Sequence, residues 1–283
     1  MTRFLAPALA MVTVMSAPAL AQNLEAEEVN RLEGFEVPES VSVHDSGAAY
    51  VSNIAGKPWG DDNNGYLSKL AGPAQIAKKR WRTQTEAGVL DAPKGIIFHN
   101  NSLWVTDNQR VVQYALNGKA AGTVYPIDGS EQLNDITSNG EAVYVSDSSA
   151  NKIYKLTEAG VQGQVPAPRG INGVTFAGDQ LLGVSFTSGE VYHLDAQGKE
   201  SPDPMGLAGR FTALDGIEAL SDGTLIVSDF KGGRVAAIAP DRESVHTLAE
   251  LQTPADIGID RDENLLYVPS FNGDFVQTYK LKR

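Results

Sequence analysis

Short runs of alternating apolar and polar residues recur along the chain about every forty residues. Six segments begin an apolar run in the same way, and their second residues are 55, 40, 38, 43 and 40 positions apart. The segments are PESVSV (38–43), PKGIIF (93–98), LNDITS (133–138), INGVTF (171–176), LDGIEA (214–219) and PADIGI (254–259). After each comes a second run, such as VYVSDS (143–148), and then a third run beyond a short turn. Runs rich in Val, Ile, Leu and Tyr, bounded by Gly, Asn, Asp and Pro, are typical of β-strands.

A weaker, more polar fourth run usually completes the repeat. Six repeats of four antiparallel strands predict an all-β fold, a six-bladed β-propeller. A β-sandwich or two smaller β domains would not explain six copies in one register. The last repeat stops after three strands, and the unused piece EVNRLEGFEV (28–37) precedes the first. We expect this piece to supply the outermost strand of the last blade, because closing the ring removes unpaired strand edges.

The N-terminus predicts export. Residues 1–21 combine one Arg, a long apolar stretch and the ending Ala19-Leu20-Ala21, which is typical of a secretory signal peptide. The apolar stretch is too short and too interrupted by proline to be a good membrane span. We therefore expect a periplasmic protein with one propeller domain over residues 22–283.

Composition narrows the chemistry. The chain has no cysteine, which excludes thiolate nucleophiles and Cys-ligated metal sites. Its formal net charge of −12 makes nucleic acid an improbable partner, since an acidic chain repels phosphate backbones. We expect the protein to be a monomer.

The second residue of each repeat's first run is the main candidate for function. In a propeller the first strand of each blade lines the central channel, so these residues should form a ring at its mouth. The ring residues are Glu39, Lys94, Asn134, Asn172, Asp215 and Ala255. Carboxylate and amide oxygens suit Ca²⁺, and Mg²⁺ or Mn²⁺ less well, so we predict one divalent cation held by Glu39, Asn134, Asn172 and Asp215.

A structural interpretation of the same residues remains open. Asp and Asn side chains often cap turns that lead into strands, and Gly95, Gly173 and Gly216 fit such turns. Four oxygen-bearing residues in one register favour a site over four separate turns. A further alternative is that the Lys94 ammonium replaces the metal and forms salt bridges with Glu39 and Asp215.

In this register the sequence resembles the regucalcin/gluconolactonase family and, more distantly, the paraoxonases; its YVSD-like second strands also resemble NHL-type repeats. The resemblance covers nearly all of the mature chain as repeats. Its specific part is a Glu before the first inner strand, ND in the third repeat, NG in the fourth and DG in the fifth. The resemblance implies that Glu39, Asn172 and Asp215 hold a divalent metal, that Asn134 lies beside it, and that the protein hydrolyses lactones or related esters.

Two positions depart from that family. Gln132 stands where gluconolactonases have an arginine that grips the sugar acid, which puts sugar-lactone specificity in doubt. Lys94 stands where paraoxonases have a proton-transferring histidine. Lys94 could act as the base if burial and the nearby cation lower its pKa, or it could hold a carboxylate of the substrate as a point charge. Asp135, which follows the ND asparagine, is the other candidate base.

Other residues are expected to frame a small-molecule substrate. Trp59, in the long insertion IAGKPWGDDNNG (54–65), could cover the channel mouth. Gln132, Arg169 and Arg210 are the remaining candidate substrate-binding residues, the arginines by attracting an anion. Two functions remain: a metal-dependent hydrolase of lactones or esters, and a non-catalytic propeller that binds a ligand or protein on the same face.

Overall fold

A computed structural model describes residues 24–117 and 121–283, so the predicted signal peptide lies outside the described residues. The described residues form β-strands, turns and loops without a helix. They accordingly contain no helix long and apolar enough to cross a membrane.

Six four-stranded antiparallel sheets make up the described chain, as the repeat predicted. Blade 1 consists of β2 Pro38–Val43, β3 Ala49–Asn53, β4 Tyr66–Leu70 and β5 Ile76–Arg82. Blade 2 consists of β8 Pro93–His99, β9 Ser102–Asp107, β10 Arg110–Ala115 and β11 Thr123–Pro126. Blade 3 consists of β12 Leu133–Ser138, β13 Val143–Asp147, β14 Lys152–Thr157 and β15 Gly160–Pro166. Blade 4 consists of β16 Ile171–Ala177, β17 Gln180–Ser185, β18 Val191–Leu194 and β19 Asp203–Pro204. Blade 5 consists of β20 Leu214–Ala219, β21 Leu225–Asp229, β22 Arg234–Ile238 and β23 Val245–Glu250. A small hairpin, β6 Gln84–Thr85 and β7 Gly88–Val89, joins blades 1 and 2.

The sixth blade is built from both ends of the chain. Its strands are β24 Gly258–Asp260, β25 Leu265–Ser270 and β26 Phe275–Lys282, and its outermost strand is β1 Glu25–Glu33. Strand β1 pairs antiparallel with β26, from Glu25 opposite Lys282 to Glu33 opposite Phe275. The predicted ring closure is confirmed, although the strand begins three residues before the predicted piece.

The inner strand of blade 6 is shorter than the sequence pattern predicted. Its regular pairing begins at Gly258, whereas the apolar run begins at Pro254. Pro254 has no N–H and makes only an isolated bridge to Ser270. The N–H of Asp256 donates 2.9 Å to the carbonyl of Glu39 in blade 1, so it is used between blades rather than within one.

The apolar core lies between neighbouring blades. Alternate residues of each strand face the sheet on either side, so each core cluster draws on two blades. Leu182 and Val184 of blade 4, for example, pack in one cluster with Leu214, Ile217 and other residues of blade 5. This face-to-face packing fixes the six inner strands around one channel.

Three glycines of the inner strands allow those strands to approach closely. Gly95, Gly173 and Gly216 lie within β8, β16 and β20, not in turns. A Cβ on Gly173 would lie 2.2 Å from the carbonyl oxygen of Asp215, and one on Gly95 would lie 2.6 Å from the Cα of Asp135. The interpretation of these glycines as turn residues is wrong, because a neighbouring blade occupies the space that a side chain would need.

Candidate functional site at the channel mouth

The ring residues lie where the inner strands deviate from regular pairing. In each of the first five blades the register shifts across two residues, of which the ring residue is the first. In blade 3, for example, the shift falls between Leu133 and Ile136 and takes in Asn134 and Asp135. In blade 3 the irregularity brings two consecutive polar side chains, Asn134 and Asp135, to the channel, whereas in blades 2, 4 and 5 the second residue is a glycine. The ring is therefore a product of backbone geometry repeated in five blades.

A hydroxyl from the second strand fills the resulting gap in the ladder. In three blades a backbone N–H group of the inner strand donates a hydrogen bond to the hydroxyl of such a serine. These bonds join Ser40 N–H to Ser52 Oγ (2.9 Å), Asp135 N–H to Ser146 Oγ (2.9 Å) and Gly216 N–H to Ser228 Oγ (2.7 Å). In blade 2 the hydroxyl of Thr106 instead donates to the backbone carbonyl of Asn134 in the next blade. The recurring Ser or Thr of the second strand thus satisfies backbone groups beside the site.

The aspartate that follows this hydroxyl anchors the loop leading into the inner strand. Its carboxylate accepts two consecutive backbone N–H groups of that loop in three blades: Asp107 from Asp91 and Ala92, Asp147 from Glu131 and Gln132, and Asp229 from Thr212 and Ala213. The VSD pattern therefore positions the ring residues. The VSD pattern can be recognised in the sequence. Its role in holding the loop cannot, because the backbone N–H groups that the aspartate binds lie about 15 residues earlier in the chain.

A cavity of about 350 Å³ opens at this end of the channel. The predicted metal ligands line it together with three other predicted site residues: Glu39, Asn134, Asn172, Asp215, Lys94, Gln132 and Trp59. The five polar ring residues each expose only 3 to 7% of their surface. Residues far apart in the sequence are thus brought together.

Three oxygen atoms of these residues have no hydrogen-bond partner among the described residues. They are Glu39 Oε2, Asn172 Oδ1 and Asp215 Oδ1, and each is buried. A buried oxygen without a partner costs free energy, so three around one cavity need a ligand or a proton. Within the described chain no group of three His, Cys, Asp or Glu side chains is arranged to hold a metal, and a cation here would depend on amide oxygens as well.

The pKa values of the two carboxyl groups of the ring are raised by burial and by neighbouring negative charges. The pKa of Glu39 is raised well above its usual value, first by burial and then by the charges of Asp215 and Asp256, while Lys94 opposes the shift. The pKa of Asp215 is also raised, by burial and then by Asp256. A divalent cation between them would reverse both shifts by favouring the ionised forms.

Lys94 faces an aromatic ring and a carbonyl. Its Nζ donates 2.8 Å to the backbone carbonyl of Ala92 and lies 3.7 Å from the centroid of the Trp59 ring. None of the ion pairs within 4.0 Å among the described residues involves Lys94, so it makes no salt bridge to Glu39 or Asp215. Burial lowers the pKa of Lys94 to about 8, although Glu39 and Asp107 act in the opposite direction.

Asp135 points to the other side of the ring. Its carboxylate accepts the N–H groups of Ile136 at 2.7 Å and Val174 at 2.6 Å. It lines a second cavity of about 230 Å³, which contains Asp256 and Glu218 but none of the predicted metal ligands. The structure therefore places Asp135 in the channel below the ring, away from the substrate-sized cavity.

The two predicted arginines lie outside the cavity. Arg169 and Arg210 are exposed and do not line it. Their backbone carbonyls are used locally, by Ser185 Oγ at 2.8 Å and by Arg234 at 2.6 Å. The neighbouring Gly170 does reach the cavity.

A row of aromatic residues at the cavity was not predicted. The row consists of three residues that each directly follow the second strand of a blade, Phe186, Phe230 and Phe271. The ring centroid of Phe230 lies 5.7 Å from that of Phe186 and 5.5 Å from that of Phe271. Phe186 and Phe271 line the cavity, as does Ile54, which has the same position in blade 1. The signal was available in the repeat alignment, at the residue that ends LLGVSF (181–186), LIVSDF (225–230) and LYVPSF (266–271).

The fold and site together describe a six-bladed β-propeller with a deep, oxygen-lined cavity at one channel mouth. Solved structures support the fold. The chain resembles a catalytically inactive virginiamycin B lyase from Staphylococcus aureus with quinupristin (15% identity, 92% of this chain and 99% of the other covered, TM-score 0.63). It is similar to a streptogramin B lyase (14% identity, 93% and 99% covered, TM-score 0.63) and to a structural genomics protein of unknown function from Bacteroides thetaiotaomicron (11% identity, 92% and 76% covered, TM-score 0.63).

Neither a scan against protein families nor a search of curated proteins finds a match. At these identities the solved structures support the fold alone. The predicted regucalcin/gluconolactonase resemblance therefore stays a prediction, and function has to be argued from the site.

Proposed function

We propose that the protein is an exported, divalent-cation-dependent hydrolase of lactones or related esters, with its site at the channel mouth. The observation that carries this proposal is the set of three buried oxygens without partners, on Glu39, Asn172 and Asp215, around one cavity. Two carboxylates and amide oxygens fit a hard cation such as Ca²⁺ better than they fit one another. When bound there, the cation would act as a Lewis acid on the carbonyl group of the substrate.

The protein's own residues have distinct roles in this proposal. Glu39 and Asp215 supply negative charge, and Asn134 and Asn172 supply amide groups on the facing strands. Lys94 acts as the base, because its pKa of about 8 leaves a neutral fraction that can accept a proton from an attacking water. Asp135 is the weaker candidate, since both of its oxygens already accept backbone N–H groups.

We assign to Trp59 the role of excluding water from Lys94. Its ring lies 3.7 Å from the Lys94 ammonium and is itself partly exposed, whereas Lys94 is buried. Its loop is held by Asn108, whose amide donates to Gly60 at 3.0 Å and to Asp61 at 2.8 Å. This arrangement keeps Lys94 desolvated until a substrate enters.

Thermal unfolding with added cations tests the proposed site. After treatment with a chelator, Ca²⁺ should raise the unfolding midpoint of the wild-type protein more than Mg²⁺, Mn²⁺ or Zn²⁺ does, because a ligand that binds the folded state stabilises it. Glu39→Gln and Asp215→Asn should remove the shift and the hydrolysis of lactones and aryl esters. Glu218→Gln alters a partly buried carboxyl group at the other end of the channel, and this matched control should keep both.

Hydrolysis that persists in a chelator, or that is unchanged in Glu39→Gln and Asp215→Asn, would refute the proposed site. A cation-dependent shift with no turnover on any ester would favour the second candidate, a non-catalytic periplasmic propeller that binds a ligand on this face. The observation that favours that alternative is the contact between Lys94 and Trp59, which covers the cavity.

A further inference from the structure

The cavity at the channel mouth has two chemically different walls. One wall carries Phe186 and Phe271, and Phe230 packs against both of them to complete a row from blades 4, 5 and 6, here called the aromatic arc. The opposite wall comes from blades 2 and 3 and carries Lys94 and Gln132 among its polar residues. The same repeat position, directly after the second strand, is aromatic in the three blades of the arc and is Asn108 or Ser148 in blades 2 and 3. The two walls thus differ by blade at one position of the repeat.

The aromatic arc is continuous. Phe230 packs between its two neighbours, tilted by 56° to Phe186 and nearly perpendicular, at 73°, to Phe271. All three rings are half-buried. Ile54, Pro58 and Trp59 extend the apolar surface from the side of blade 1. The ring position nearest to Phe271 in the sequence is Ala255, which adds no polar group.

Several polar groups of the polar wall already have partners within the protein. The side-chain oxygen of Gln132 accepts a hydrogen bond from Ser149 Oγ at 2.6 Å. The side-chain amide of Asn134 donates a hydrogen bond to Ser148 Oγ at 3.2 Å, and the Ser148 hydroxyl donates one to the backbone carbonyl of Ile171 at 2.7 Å. Among the residues that line the cavity, the buried oxygens without partners belong to Glu39, Asn172 and Asp215, which the proposed function assigns to the cation. A sugar lactone would bury hydroxyl groups against phenyl rings without partners, which is unfavourable.

We propose that the aromatic arc binds the apolar part of the substrate, so that the preferred substrates are lactones or esters with an aliphatic or aryl group and not sugar lactones. This inference rests on the proposed function. The carbonyl group lies at Glu39, Asn172 and Asp215, and the apolar group lies along Phe186 and Phe271. A cavity of about 350 Å³ has room for a ring and a short side chain.

A series of aliphatic lactones with side chains lengthened one CH₂ group at a time tests the arc. In the wild-type protein kcat/KM should rise about fourfold for each CH₂ until the cavity is full, which corresponds to about 0.8 kcal/mol per buried CH₂. Gluconolactone should be hydrolysed more slowly than any member of the series. Phe186→Ala and Phe271→Ala should flatten the dependence on chain length.

Phe176→Ala is the matched control. Phe176 lines the cavity at the other end of the channel, so the same truncation there should leave the dependence on chain length intact. The wild-type series decides the proposal even if an arc variant fails to fold. A kcat/KM that is independent of chain length, or a preference for gluconolactone, would overturn the inference while leaving a hydrolase in place.

Binding of the free carboxylic acids separates failure of the arc from failure of the proposed function. Calorimetry in the presence of Ca²⁺ would compare butanoate, hexanoate and octanoate with gluconate. If no ester is hydrolysed but affinity rises with chain length in the wild-type protein and not in Phe186→Ala, the hydrolase is refuted and the apolar subsite stands. Equal affinity for all four acids, or tighter binding of gluconate, would contradict the subsite.

Discussion

Lys94 is the residue of the site whose role the structure defines most closely. The sequence allowed it to be a base, an anion anchor or a replacement for the metal. Its ammonium group is directed to the Ala92 carbonyl and the Trp59 ring, and the carboxylates that would neutralise it lie beyond salt-bridge distance. The sequence could not predict this orientation, because Trp59 reaches Lys94 from an insertion in another blade.

Substitution of Lys94 should separate its two remaining roles. As a base it acts in the neutral form, so the kcat of the wild-type protein should rise as the pH rises through about 8. Lys94→Met and Lys94→Arg should both lose this limb of the pH profile and fall about 100-fold to 10,000-fold in kcat. Steady-state kinetics between pH 6 and 10 provide the measurement, over a range chosen around that pKa of about 8.

The arginine variant discriminates between the roles because it keeps the positive charge but does not release a proton. If Lys94 only holds a carboxylate, Lys94→Arg should retain kcat and the wild-type pH profile, and the assignment as a base would then be wrong. Trp59→Ala should move the limb to higher pH, because exposure to water removes the burial that lowers the pKa of Lys94.

At the scale of the element, the sequence pattern predicted the strands better than it predicted their irregularities. Alternation of apolar and polar residues indicated all four strands of most blades. The paired inward side chains, such as Asn134 and Asp135, depend on a register shift that alternation does not show. The glycines were misinterpreted for the same reason, since the contact that requires Gly173 is with Asp215, a residue of the next blade.

Substitution of inner-strand glycines should show this close approach. Gly173→Ala places a Cβ 2.2 Å from the Asp215 carbonyl oxygen, and the forced shift should lower the free energy of unfolding by about 1–3 kcal/mol. Gly163→Ala is the control, because a Cβ there meets nothing within 4 Å in the outer strand β15. Urea unfolding should find this control as stable as the wild-type protein or more so. Equal stability of the two variants would show that the inner strands can separate without cost.

At the scale of the whole molecule, the six-fold repeat determined both the propeller and the convergence of the ring residues. Closure by β1 was predictable because the last repeat lacked a strand and the N-terminus supplied one. The division of the channel into two cavities was not predictable. Below the ring, the second cavity is lined by Asp135, the second residue at the irregularity of blade 3, and by Asp256, which precedes the inner strand of blade 6.

This buried acidity should make the stability of the whole propeller fall as the pH rises. Burial raises the pKa of Glu218 to about 7 despite its 2.8 Å salt bridge with Arg261, and burial likewise raises the pKa of Asp256 to about 7. Both groups therefore hold protons in the folded state at pH values where the unfolded chain has lost them. Their stabilising effect is complete below the pKa values of the unfolded chain, near 4, and is lost as the pH rises through about 7.

Urea unfolding in a chelator at pH 5, 6, 7 and 8 measures this effect. Each such group should lower the free energy of unfolding by up to about 1.4 kcal/mol per pH unit between its two pKa values. Glu218→Gln and Asp256→Asn should each reduce the slope, and the asparagine can still accept the hydrogen bond that Ser40 Oγ donates at 2.5 Å. Stability that increases from pH 5 to pH 8 would mean that these carboxyl groups are ionised in the folded channel and neutralised by something other than a proton.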